Sequence, residues 1–134
     1  MSQENVEVVR MGAAVFNEGD VERWLADFIH PEIVWRTSVE DPDAATHYGL
    51  DALRRYVTQW QESFEGLTGD IEECINVGDE RVFTWVHWTG RGTTSRLNAE
   101  WWLAINYTMR DAKVVRAEEF FDRNEALKAV GLEE

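Results

Sequence analysis

The sequence predicts an α+β domain whose N-terminal helices pack on one curved, mainly antiparallel sheet. Two observations carry this. Apolar residues recur at steps of three and four in the first half of the chain and at steps of two in the second. Helices that precede a run of strands give segregated layers, not the alternating order of a parallel sheet. A length of 134 residues leaves room for one core, so 1–134 reads as one domain.

The elements follow in order. Val6, Val9, Ala13 and Phe16 form the first helical stripe, with Glu4 and Glu7 near its N-terminus. Gly19 suits the left-handed position that ends this helix, and Asp20 caps the next. The second stripe is Val21, Trp24, Leu25 and Phe28, with Pro31 as its stop and His30 at its end. Ile33-Val34-Trp35 is a short strand, and Asp41-Pro42-Asp43 a loop. A third helix, from Leu50 to about Glu65, presents Leu53, Tyr56, Val57, Trp60 and Phe64.

The period then changes. Ile71, Glu73, Ile75 and Val77 alternate, and Gly78-Asp79 turns the chain. Val82 to Thr89 is the next strand, followed by a connection from Gly90 to Ser95. Asn98 to Met109 and Lys113 to Phe121 pair around a tight turn at Arg110-Asp111-Ala112. Asp122 and Glu125 form a capping-box-like pair for a closing helix that Gly131 terminates.

Composition excludes several classes of partner. A net charge of -13 with no basic stripe argues against nucleic acid and against an anionic membrane surface. No segment reaches the roughly 20 apolar residues that span a bilayer, and Met1-Ser2-Gln3-Glu4 does not look like a signal peptide. Cys74 is the only cysteine, which fits a cytoplasmic location. Three scattered histidines give no metal-ligand spacing, and Gly90-Arg91-Gly92 precedes no phosphate-holding helix. Seven tryptophans (Trp24, Trp35, Trp60, Trp85, Trp88, Trp101 and Trp102) are the unusual feature. They supply aromatic surface for a core, an interface or a ligand pocket.

Several motifs, taken in order, carry a family likeness. They are Phe16-Asn17-Glu18-Gly19-Asp20, His30-Pro31-Glu32, Tyr48-Gly49-Leu50, Gly78-Asp79-Glu80-Arg81-Val82, Arg110-Asp111-Ala112-Lys113-Val114-Val115 and Phe121-Asp122-Arg123-Asn124-Glu125-Ala126-Leu127. Together they resemble the SnoaL-like branch of the nuclear-transport-factor-2-like superfamily. The resemblance implies a cone-shaped, often homodimeric fold shared by polyketide cyclases, ketosteroid isomerases and epoxide hydrolases. The isomerases' tyrosine falls at Gly12, their aspartate base near Arg36 and their protonated aspartate at Ile105. That mechanism therefore lacks its side chains here. The cyclases' last-strand aspartate falls at Glu119, a similar acid, and their histidine again at Ile105.

Strand parity also selects Glu119. Val115, Ala117, Glu119 and Phe121 share the more apolar face of the last strand. Trp101, Leu103, Ile105, Tyr107 and Met109 form the inward set of the strand before. A three-residue loop Arg110-Asp111-Ala112 brings these faces together, setting Leu103 near Glu119, whereas a two-residue turn sets Arg116 and Glu118 beside the apolar set. A carboxylate in an aromatic cavity has its pKa raised by desolvation, which suits acid–base work near neutrality. His87 is a second candidate acid–base group, with either face of its strand open to it. Trp35, Tyr48, Trp60, Trp101, Leu103, Ile105, Tyr107 and Phe121 are the expected pocket residues.

The strand Val82 to Thr89 is apolar on both faces, so one face meets the pocket and the other a partner subunit. This predicts a homodimer through the outer sheet face, with Trp102 and Ala104 on that side. Three readings stay open. One is a cofactor-free enzyme acting on a small cyclic or polyketide-like molecule, another a non-catalytic binder of a small apolar or cyclic molecule. The third is a structural dimer whose cavity its own side chains fill.

Overall fold

The computed structural model describes residues 2–41 and 44–132. Met1 and the Pro42-Asp43 part of the expected loop lie outside the described residues. Helices α1 (Ser2–Asn17), α2 (Val21–Phe28) and α3 (Gly49–Ser63) cover one face of a six-stranded curved sheet. Strands β1 (Ile29–Arg36), β2 (Thr46–Tyr48), β3 (Phe64–Val77), β4 (Arg81–Gly92), β5 (Asn98–Arg110) and β6 (Lys113–Phe120) lie in the order β2-β1-β6-β5-β4-β3. Only the β1–β6 contact is parallel, so the expected α+β class with a mainly antiparallel sheet holds. Helix α4 (Arg123–Ala129) packs on the opposite face.

Local signals act as read. Gly19 takes φ 87 between α1 and α2, and the Asp20 side chain accepts a hydrogen bond from the Arg23 amide. All four residues of the α2 stripe are buried. Asp122 accepts from the amides of Asn124 and Glu125 to start α4.

Several boundaries differ, each for a physical reason. Chain direction changes at Phe28, so His30 and Pro31 lie in β1 and not at a helix end. Residues 30–33 have no partner in the β1–β2 or β1–β6 registers, so the missing Pro31 N–H removes no ladder bond. The sixth strand, β2, is three residues long, too short to show a period. Expected as a connection, Gly90 to Gly92 instead continues β4 and pairs with both Phe64–Glu65 and Asn98–Ala99.

Two of the sheet's register shifts overturn the parity expected from the sequence. In β3 the register shifts between Ile71 and Glu73. Ile71 therefore packs in the main core, while Val77 packs with α4 and Glu73 pairs with Arg123 on the other face. The strict alternation expected from Ile71 to Val77 is broken there.

The β5–β6 hairpin corrects a second expectation. Its loop has two residues, Asp111 and Ala112, at φ 55 and 61, between the pair Arg110 and Lys113. A two-residue turn alone sets the inward residues of β5 against the charged set of β6. A bulge at Val115 restores parity: Met109 pairs Val114, yet Thr108 pairs Arg116 and Tyr107 pairs Ala117. Val114 thus replaces Val115 on the buried face, and Ile105, not Leu103, faces Glu119 across the ladder.

Ala112 carries a Cβ in a left-handed conformation that costs roughly 1 kcal/mol relative to glycine. Ala112→Gly is expected to raise the urea midpoint of unfolding with no change in slope. An equal or lower midpoint contradicts this reading of the turn.

Candidate functional site

Between the inner sheet face and helices α1 to α3 lies a cavity of about 100 Å³. Its walls are almost entirely apolar because the inward sets of β4 and β5 are Val86, Trp88, Trp101, Leu103, Ile105 and Tyr107. The even-numbered residues of β4 face inward, which resolves the ambiguity of that strand. Gly69 opposes Trp88 in the ladder, and a Cβ there meets the indole at 2.8 Å. Glycine at this point lets the ring lie against the strand.

Glu119 lines this cavity and is 7% exposed. Two donors from different elements converge on it. The Trp35 indole N–H of β1 donates to Oε2 at 2.7 Å, and the Tyr56 hydroxyl of α3 lies 3.0 and 2.9 Å from Oε1 and Oε2. Parallel pairing of Trp35 with Ala117 brings the first donor within reach, and the helical stripe of α3 turns Tyr56 inward. Burial pushes the Glu119 carboxyl up to about 7, against the opposing effect of the Trp35 and Tyr56 hydrogen bonds, and the charge of Asp41 adds to the rise. The Tyr56 and Tyr107 phenols are held neutral, both pushed up by burial and by the neighbouring Glu119 charge. Tyr56 therefore acts as a donor to Glu119. His47 stacks on Tyr56 at 4.5 Å, its pKa lowered by burial and then by Arg55.

Trp60 stacks on Trp101 at 5.7 Å and on Phe64 at 5.9 Å, and those two rings meet at 5.0 Å, so the three form one aromatic cluster. Trp35, Trp60, Trp101, Leu103, Ile105, Tyr107 and Glu119 are thus brought to one cavity. Three expected residues are not. Tyr48 ends β2 and is 71% exposed, and Phe121 lies beyond β6 and is 42% exposed; neither lines the cavity. His87 falls on the outer sheet face, stacked on Trp102 at 4.3 Å with Nε2 2.9 Å from Glu100. The odd positions of β4 point away from the cavity, so His87 shares no space with Glu119.

Tyr56 is the residue that sequence reading placed on the right helix face without assigning it a role. Its signal is the only hydroxyl on an otherwise hydrocarbon and indole stripe. Among the described residues, no group of three or more His, Cys, Asp or Glu is arranged to hold a metal ion. No helix among the described residues is long and apolar enough to cross a membrane.

The profile of the SnoaL-like domain family matches residues 8–117, and the chain belongs to that family. Solved structures agree on the fold. TerC, co-crystallised with polyporic acid, is 22% identical, with a TM-score of 0.75 over 95% of this chain and 97% of its own. Bal32a, from a soil-derived mobile gene cassette, is 21% identical, with a TM-score of 0.78 over 96% and 97%. A protein with a ketosteroid isomerase-like fold from Catenulispora acidiphila, in complex with trimethylamine, is 15% identical, with a TM-score of 0.73 over 94% and 93%. No protein of curated function matches the sequence significantly.

The raised Glu119 value corresponds to a penalty on the order of 3 kcal/mol on its ionised form in the folded state. For an acid whose folded pKa lies above the unfolded one, the stabilising contribution is complete below about 4.5 and is lost as pH rises through about 7. Glu119→Gln removes this dependence while keeping shape and an acceptor for Trp35. Urea unfolding across this range is expected to show the variant gaining stability relative to the parent as pH rises. Parallel stability curves contradict a Glu119 whose pKa folding raises.

Proposed function

We propose that the cavity binds a small cyclic or polyketide-like molecule and that Glu119 transfers a proton on it, in a cofactor-independent cyclisation or isomerisation. One observation carries this reading: a single carboxyl group, held by Trp35 and Tyr56, meets an otherwise apolar enclosure. A carboxyl group that titrates near 7 supplies both acid and base at neutral pH. Tyr56 and Trp35 support the ionised form, so that a proton can leave Glu119 without stranding a bare charge. Family membership is consistent with cyclase or isomerase chemistry. Proteins of this fold hold ligands as different as polyporic acid and trimethylamine, so the lining and not the fold selects the ligand.

Native mass spectrometry of the purified protein tests binding and supplies the ligand for a second step. With that ligand in deuterated water, the parent protein is expected to catalyse deuterium uptake or conversion. Glu119→Gln is expected to slow it by about 10²-fold or more while still holding the ligand. A parent protein that returns the molecule unlabelled and unconverted favours binding without chemistry.

We propose in addition that two copies pair through the outer sheet face. Helix α4 covers Phe83 and Ala104 at one end of this face. Beyond it Trp102 is 40% exposed and Ile75 37% exposed, with half-buried Trp85 beside them. Apolar surface of this kind favours a second apolar face. Light scattering on the eluting protein is expected to give twice the chain mass, and Trp102→Glu to give the monomer. A monomeric parent protein at micromolar concentration sinks the pairing.

A further inference from the structure

We propose that the cavity takes an uncharged cyclic molecule bearing a carbonyl oxygen, and that the Trp88 indole N–H holds this oxygen at a point apart from Glu119. The inference rests on the reading of the cavity as a ligand site and names the group by which a guest is oriented there.

Among the described residues, Trp88 carries the one indole N–H that is buried and without a hydrogen-bond partner. Buried polar groups are nearly always paired, and an indole N–H normally finds an acceptor when it leaves water. Elsewhere the rule holds, since Trp35 donates to Glu119 and Trp102 to Glu72. Near Trp88 the protein's own acceptors are engaged. The Gly69 carbonyl accepts from Asn17, the Asn17 side-chain oxygen accepts from the Gly69 N–H, and the Glu119 carboxyl accepts from Trp35 and Tyr56.

The ring itself is held in place. Trp88 meets Phe16 edge-on at 5.8 Å and lies against β3 at Gly69, where an added Cβ would come within 2.8 to 3.0 Å of Cη2, Cζ3 and Cζ2. These contacts fall on the hydrocarbon ring of the indole and not on its nitrogen. An indole packed this way has little freedom to turn its N–H toward another protein group. Trp88 lines the cavity, so a bound molecule can bring the missing acceptor to it. A lone water is a poor substitute, because it needs two or more polar partners of its own.

A single N–H sets the chemistry of that acceptor. A carboxylate or phosphate needs several donors once buried. A ketone or quinone oxygen is served by one, while the rest of the guest meets Val86, Leu103 and the rings of Trp60 and Trp101. Register separates this oxygen from the reacting end. Trp88 pairs with Trp101 and Glu119 with Ile105, four residues further along β5, which is about 13 Å of strand. Trp88 is thus a binding residue that orients the guest, and Glu119 the group that exchanges a proton with it.

The test compares cyclohexanone with methylenecyclohexane, in which a methylene group replaces the oxygen. Each tryptophan gives an indole signal in the proton–nitrogen NMR spectrum, and titration yields the affinity of each molecule. Cyclohexanone is expected to move the Trp88 N–H signal downfield, and methylenecyclohexane to leave it near its place. Trp88→Phe is expected to weaken cyclohexanone binding by about tenfold and methylenecyclohexane binding by no more than about threefold. If both molecules bind and the Trp88 signal ignores the oxygen, the acceptor site is overturned and the ligand site stands. A response of the Trp35 signal in its stead, or equal losses for both molecules in Trp88→Phe, has the same meaning. If neither molecule binds at millimolar concentration, the acceptor site and the site reading both fail. The parent spectra need no variant, and circular dichroism of Trp88→Phe checks that its fold is intact.

Discussion

The structure turns on one buried carboxyl group and the two donors that hold it. Glu119 sits at the meeting point of β6, β1 and α3, and its hydrogen bonds to Trp35 and Tyr56 tie those elements together. Burial opposes its charge, while both donors favour it. The balance leaves the group near neutrality. A core built only for stability places a hydrocarbon at such a point, because a buried ionisable group seldom repays its desolvation. Keeping Glu119 there is a cost in stability that the fold carries.

The aromatic surplus is divided between the two faces of one sheet. Trp24, Trp35, Trp60, Trp88 and Trp101 surround the cavity, whereas Trp85 and Trp102 lie on the other side. Helix α4 closes part of that second side with Ala126 and Leu127, joined by Val130 just past its end, and Arg123 fastens it to Glu73. The chain thus has two apolar clusters on one sheet, which explains why β4 is apolar in both parities. Its inner residues serve the cavity, and Phe83 serves the helix. His87, Glu72, Glu100 and Trp102 form a polar and aromatic cluster beyond the reach of α4.

Much of this was legible in the residues. The change of period separated helices from strands, and the apolar parity of β5 located the inner face that Glu119 shares. What escaped depended on single-residue shifts. The bulges at Glu72 and Val115 each move a side chain from one face to the other, and no alternation of apolar residues announces them. Strand parity alone requires a three-residue loop to turn Glu119 inward, while the chain reaches the same face by a two-residue turn and a bulge. Tyr48 and Phe121 failed as pocket residues because each lies at an element end, where parity ceases to govern direction. Tyr56 needed three dimensions, since 63 residues separate it from Glu119.

Asn17 carries a mechanical implication. At the end of α1, its side-chain amide donates to the Gly69 carbonyl and accepts from the Gly69 N–H, each at 2.9 Å. This clasp copies a ladder pair and locks the helix to β3 beside Trp88. Parting α1 from the strand at this point breaks both bonds together, so the wall of the cavity beside Trp88 is braced against opening, as a door is by a double latch.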